Sequence, residues 1–234
     1  MCISRVFLDK ILALEKEVIW VKLDKSFFGL ENYIFVAAGY RPPREGAVGT
    51  FYTKLGRDTA KYSSKGDLIL VGDLNSRIGG LDQTINNIDK YDTLVTHTLD
   101  LGGRRNSQEK IVKKHGKELL DLCTKSELVI LNGRKLGDLE GKYTCHKYNG
   151  SSVNDIAAVS YDLYRRSKYL PVLEPVWLSD HCPIYFGLDI RLYRNGRREE
   201  FELSRLLALH KKFKWDDEGG SISKKRHQRI CSKA

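Results

Sequence analysis

The chain has 234 residues, with 40 Lys and Arg against 30 Asp and Glu and a formal net charge of +10. Hydrophobic residues at 41% exclude wholesale disorder, and five scattered cysteines without a C-x-x-C spacing exclude a disulfide scaffold and favour a reducing compartment. No apolar run approaches the roughly 18 residues of a membrane span, so the expectation is an intracellular protein, nuclear or cytoplasmic, with acidic partners such as nucleic acid.

The first strand candidates are Glu17 to Leu23 and Tyr33 to Tyr40, two β-rich runs that read as one hairpin. Arg41-Pro42-Pro43 stops the second, because proline has no N–H for the ladder. Gly46 to Tyr62 follows a loose helical period. Asp67 to Gly72 is almost wholly apolar, the pattern of a strand covered on both faces. Leu81 to Asn106 reads as a long surface loop, and Ser107 to Lys125 as a helix with Ser107 at its N-cap. Leu128 to Leu131, Lys142 to Cys145, Val153 to Ser160 and Pro183 to Ile190 are further strands, and Glu199 to Lys212 a further helix. Locally paired strands with inserted helices point to an α/β fold with largely antiparallel sheets.

The charge is uneven. Residues 191–234 hold 13 basic and 6 acidic side chains, whereas residues 1–190 hold 27 and 24. The expected organisation is an N-terminal segment over 1–16, a body over 17–190, and a basic, partly disordered extension over 191–234. In that extension Lys224, Lys225, Arg226 and Arg229 read as a phosphate-binding arm or nuclear address, beside the plainer reading of a solvated terminus.

Three acidic motifs stand at strand ends. In Gly72-Asp73-Leu74-Asn75 an extended backbone sends Asp73 and Asn75 to one side, a carboxylate for a cation or a water proton and an amide for a phosphate. Arg77, just beyond, is a further candidate for substrate phosphate. Ser152-Val153-Asn154-Asp155 places Asp155 at the start of a strand. In Ser179-Asp180-His181 the adjacent side chains diverge, so His181 needs another carboxylate to fix its tautomer, and Asp155 is available. Cys145-His146 and His181-Cys182 also suggest zinc, but neighbours on a strand face opposite ways, so each pair offers one ligand, short of the usual four. Carboxylates at several strand ends, one histidine and a basic surface suggest metal-assisted phosphodiester hydrolysis.

The ordered set Tyr40-Arg41-Pro42-Pro43, Gly72-Asp73-Leu74-Asn75, Ser152-Val153-Asn154-Asp155 and Ser179-Asp180-His181 resembles the endonuclease/exonuclease/phosphatase superfamily. Gly116 to Cys123, Asn132-Gly133-Arg134 and Gly141-Lys142-Tyr143-Thr144 resemble, in order and spacing, the endonuclease domain of non-LTR retrotransposons, where Phe213-Lys214-Trp215-Asp216-Asp217 looks like the following segment. The resemblance covers roughly residues 17 to 218 and implies two packed, mixed, largely antiparallel sheets flanked by helices. It implies that Asp73 activates water, Asn75 binds phosphate, Asp155 holds His181 against the phosphate, Asp180 serves the metal or leaving group with Asp73, and Tyr40 stands near the leaving oxygen. Ser152 and Ser179 would cap turns. Mg²⁺ or Mn²⁺ is the implied cofactor and DNA the implied partner.

Departures from the pattern carry expectations too. The family has an Asn and a metal-binding Glu before the segment equivalent to Val18–Leu23, and neither Glu15 nor Glu17 matches that motif. Part of one sheet, and the principal Glu ligand, are therefore expected to lack counterparts, leaving a sheet that a protein partner would complete or cover. Leu74 stands where Phe is usual, and Ile156-Ala157-Ala158 where larger side chains are common. Three readings stay open: a retrotransposon-type endonuclease, an inactive nucleic-acid-binding remnant, and a small-molecule phosphoesterase.

Overall fold

The computed structural model describes residues 8–14, 17–43, 48–82 and 104–189, and the backbone of 192–194 and 197–199. At residues 8–14, 27 and 48–50 it describes the backbone alone. By its internal contacts the chain divides into two units, 1–196 and 197–234, and all that follows concerns the first.

Strand β1 spans Leu8–Leu14, β2 Val18–Leu23, β3 Tyr33–Tyr40, β4 Gly66–Asp73, β5 Leu128–Ile130, β6 Cys145–Lys147, β7 Gly150–Ser152, β8 Asp155–Ser160, β9 Ser167–Tyr169 and β10 Gly187–Leu188. The helices are α1 Lys25–Phe28, α2 Val48–Ser63, α3 Lys114–Lys125 and α4 Tyr161–Arg166. Six strands form one mixed sheet in the order β1-β2-β3-β4-β8-β5. Only β3 and β4 run parallel in it, joined by a crossover through α2. The protein is thus a mixed α/β fold with a large sheet, small accessory sheets and flanking helices.

Strict alternation builds two cores. Phe35 and Ala37, Leu68 and Leu70, Ile156 and Ala158 face Phe51, Leu55, Leu119 and Leu122 of α2 and α3. Ile34 and Val36, Ile69, Ala157 and Val159 face the other way, against Leu163, Tyr164 and Leu170. Central strands apolar on both faces are what Asp67 to Gly72 announces in the sequence. On the second face a cleft of about 640 Å³ opens toward one end of the sheet, lined by Ile19, Tyr40, Asp155, Ile184 and Phe186 among others.

Several elements differ from the sequence reading. Within the expected N-terminal segment over 1–16, residues 8–14 form β1, which pairs antiparallel with β2 and extends the sheet. The third helix starts at Lys114 rather than Ser107, with Lys113 at its N-cap. Tertiary partners hold the preceding residues out of the helix. Val112 bridges to Ile78, Lys113 N–H donates to Arg77 O at 2.9 Å, and the Glu109 carboxylate accepts from Ile111 N–H at 3.0 Å. The strand expected over 142–145 lies at Cys145–Lys147, because Thr144 Oγ1 accepts the N–H groups of Asn154 and Asp155. Of the strand expected over Pro183 to Ile190, the described residues 183–189 form one at Gly187–Leu188 alone, though Ile184 bridges to Val172. The loop expected over 81–106 is described at its ends only. Residues 200–212 of the last expected helix lie outside the described residues, as do Lys224, Lys225, Arg226 and Arg229.

Candidate active site

Asp73 ends β4 and Asp155 begins β8, and the two are direct partners across the antiparallel ladder. Opposed partners send their side chains to one side, so the sheet itself brings the two carboxylates together. Gly72 lets β4 reach this point. A Cβ there would lie 1.8 Å from Gly39 O, and its φ of 145° is one that side-chain-bearing residues rarely adopt.

The third group comes from the far side. Cys145 and His181 form an isolated antiparallel bridge, with His146 N–H donating to Asp180 O at 2.7 Å and Cys182 N–H to Thr144 O at 2.8 Å. This delivers the His181 ring to Asp155, whose Oδ2 accepts from Nδ1 at 2.8 Å. An ionised carboxylate only accepts, so Nδ1 carries the proton and Nε2 faces outward. Nε2 lies 3.9 Å from Asp73 Oδ2 and 4.0 Å from Asp180 Oδ1. Asp180 therefore does not diverge from its neighbour as an extended chain would require, because Ser179 sits in a turn: its N–H donates to Val176 O, and its Oγ accepts from His181 N–H. Half-exposed Asp180 also meets Lys147 Nζ at 3.6 Å.

Burial, and after it the facing Asp155 carboxylate, push the Asp73 carboxyl above its ordinary value, while His181 and then Asn75 act in the opposite sense. Asn75 is not extended. It takes the left-handed conformation, φ 46°, which Asn tolerates. Its N–H donates to Asp73 Oδ1 at 3.2 Å and its Nδ2 to Arg41 O at 2.9 Å. Buried Arg41 returns two bonds, Nε to Leu74 O at 2.8 Å and Nη2 to Asn75 O at 2.9 Å. Tyr40, half exposed, sits opposite Asp73 in the parallel ladder. The guanidinium of Arg77 is instead taken by Glu109, through Nε at 2.7 Å and Nη2 at 2.9 Å. That bidentate pair ties the loop after β4 to the residues before α3 and leaves Arg77 little freedom for a phosphate.

Sequence reading overlooked three supports of the site. Arg41 clamps the Asp73–Asn75 loop, Thr144 Oγ1 accepts from Asn154 and Asp155, and Asn132 bonds Asp155 O through Nδ2 and Ala157 N–H through Oδ1. Each stands in a motif already noticed, but its task is set by partners up to 34 residues away. Among the described residues, the group of side chains close enough to hold one ion is Cys145, Asp180 and His181, and it contains no glutamate.

A histidine oriented by one carboxylate, with two more beside its free nitrogen, has the groups to move a proton and to offer oxygen ligands to an ion. A family model described as Endonuclease-reverse transcriptase matches residues 34–185, well over half of the chain. The chain belongs to the endonuclease–reverse transcriptase family, within the endonuclease/exonuclease/phosphatase superfamily of nucleases and phosphoesterases. Solved structures share its fold. The 3'-5' exonuclease NExo from Neisseria meningitidis superposes with a TM-score of 0.50 at 17% identity, over 77% of this chain and 69% of that one. The AP endonuclease LMAP from Leishmania major gives 0.51 at 16%, over 74% and 54%. The endonuclease domain of TRAS1, a telomere-specific non-LTR retrotransposon, gives 0.49 at 17%, over 74% and 61%. This endonuclease–reverse transcriptase family member thus spans less than two thirds of the TRAS1 domain and of the Leishmania enzyme. No curated protein matches it by sequence.

Proposed function

We propose that this protein hydrolyses phosphodiester bonds in DNA with the help of a divalent cation, as a retrotransposon-type endonuclease. The observation that carries the reading is His181, held by Asp155 at 2.8 Å with Nε2 between Asp73 and Asp180. DNA as the substrate is supported by a structural neighbour, the 3' phosphatase NExo from Neisseria bound to a product DNA hairpin.

Asp155 fixes the His181 tautomer, so that Nε2 meets a phosphate oxygen. Asp73, whose burial favours the protonated form, gains basicity toward an attacking water by the same cause. Asn75 holds the Asp73 carboxylate through its backbone N–H, and half-exposed Tyr40 beside Asp73 is available to a phosphate or leaving oxygen. Asp73 and Asp180 offer the oxygen donors that a hard ion such as Mg²⁺ or Mn²⁺ takes, and these two residues would hold it. Such an ion supplies neutralisation of the charge that develops on the phosphate.

Nicking of supercoiled plasmid in Mg²⁺ or Mn²⁺ tests this. His181→Ala is expected to lower the rate by about 10²- to 10⁴-fold. Equal nicking by both proteins, or none by either, overturns the reading. The absence of a glutamate from the described ion-binding group favours a second reading, a nucleic-acid binder without cleavage. DNA binding without nicking would select it, and phosphate release from small esters alone would select a small-molecule phosphoesterase.

A further inference from the structure

The sulfur beside the site has no part in phosphate hydrolysis. Cys145 is buried, and its Sγ lies 3.9 Å from Asp180 Oδ2. Asp180 Oδ1 in turn lies 4.0 Å from His181 Nε2, and the ligand atoms of the three residues all fall within 4.8 Å of one another. The arrangement is built into the backbone, because Cys145 and His181 are opposed across an antiparallel bridge and share a face. Each Cys-His neighbour pair offers one ligand, as strand geometry dictates, but the fold unites the two pairs and adds a carboxylate.

Sulfur, nitrogen and oxygen donors together suit a borderline-soft ion, whereas Mg²⁺ prefers oxygen alone. His181 already has the outer partner that metal-binding histidines use, Asp155 on Nδ1, which leaves Nε2 for an ion. Asp73 Oδ2, although 3.9 Å from Nε2, stands outside the group of three, so water would complete the coordination. Bonds of about 2.0–2.3 Å in a tetrahedral site put ligand atoms about 3.5 Å apart. The two gaps to Asp180, 3.9 and 4.0 Å, must therefore close by about half an ångström and the one between Cys145 and His181 by at most about 1.3 Å, the first by rotation of the half-exposed Asp180 and the second by small shifts of Cys145 and the His181 ring. Lys147 Nζ, 3.6 Å from Asp180 Oδ2, would swing into solvent, as a half-exposed lysine can.

We propose that Cys145, Asp180 and His181 bind a thiolate-accepting transition-metal ion of the Zn²⁺ class, and that this ion shuts off hydrolysis by capturing Nε2 of His181. Binding replaces the Sγ–H bond by a sulfur–metal bond and releases one proton to water, with no change in oxidation state. The inhibitory half rests on the proposed hydrolysis, whereas the site does not.

Titration of the metal-free full chain with Co²⁺ tests the site without reference to activity. The wild type should develop a near-ultraviolet sulfur-to-cobalt charge-transfer band and the intense visible bands of a four-coordinate ion. Cys145→Ser should lose the charge-transfer band, and its Zn²⁺ affinity should fall by at least the roughly 10- to 100-fold that even outer-shell partners contribute. Asp180→Asn, at a half-exposed position where folding is not at stake, should keep the band with weaker affinity. No charge-transfer band in the wild type, or an unchanged one in Cys145→Ser, overturns the site. Zn²⁺ should inhibit Mg²⁺-supported nicking by the wild type far more than by Cys145→Ser. Equal inhibition of the two overturns the inhibitory half and leaves the cobalt result standing. A wild type that binds Co²⁺ through sulfur but never nicks overturns the hydrolysis and its inhibition together.

Discussion

Asp73 sits in a conflict between folding and chemistry. Burial and the Asp155 charge raise its pKa, so the folded state holds the Asp73 proton more firmly than the unfolded chain does. Its contribution to stability is therefore fully present below the ordinary value of 3.8 and is lost as pH rises through the raised one. Asp73→Asn, which is neutral at every pH, should raise the Tm at pH 7 in EDTA, with the gain vanishing below pH 3.8, while nicking is lost. A lower Tm at pH 7 would show that ionised Asp73 is not under strain. Arg77 belongs to the same scale. Glu109 is almost wholly buried, at 3% exposure, and loses its bidentate partner in Arg77→Ala. That variant should lose about 3 kcal/mol of stability in urea unfolding, whereas DNA affinity per folded molecule should barely change. A large fall in affinity at unchanged stability would restore Arg77 as a phosphate ligand. The sequence offered Asp155 as the partner of His181, and the structure has that contact, although the premise that Asp180 diverges from its neighbour does not hold, since Asp180 Oδ1 lies 4.0 Å from Nε2. The Arg77–Glu109 pair was not legible in sequence, because nothing local links residues 32 apart.

At the level of elements, periodicity located the central strands and α2 to within a few residues. It failed for the start of α3. Val112, Leu119, Leu122 and Cys123 recur at helical spacing, but Val112 and Lys113 bond to the Arg77–Ile78 backbone instead. Gly116 permits that close approach, since a Cβ there would meet Arg77 O at 2.0 Å. The junction of β4 with the Asp73–Asn75 loop is equally tight. Gly72→Ala combines an unfavourable φ with a 1.8 Å overlap on the β3 backbone. It should destabilise the protein by about 2 kcal/mol or more, read from the urea midpoint. It should also displace Asp73, so that nicking falls further than the folded fraction does. A variant of wild-type stability would mean that β3 and β4 separate without strain.

For the whole molecule, charge and chemistry occupy different parts of the chain. The candidate site is assembled within residues 40–181, whereas residues 191–234 carry 13 basic side chains against 6 acidic. Removal of residues 191–234 should make the logarithmic salt dependence of DNA binding shallower, by about 0.9 for each phosphate that the segment neutralises. It should leave the pH dependence of nicking unchanged. Identical binding by both proteins at every salt concentration would show that the basic segment is merely solvated. No helix among the described residues is long and apolar enough to cross a membrane, in keeping with the absence of long apolar runs.

By itself the sequence determined the alternation of apolar strands, the α/β class and the candidate carboxylates at strand ends, because these depend on local period and on turn chemistry. Only the tertiary structure decided that Leu8–Leu14 joins the sheet, that Asn75 bends back to Arg41, and that Arg77 belongs to Glu109. It also decided that Cys145 shares a face with His181, since cross-strand register alone determines which side chains of distant segments meet. Register is a long-range property. No window of sequence short enough to show a periodicity contains it.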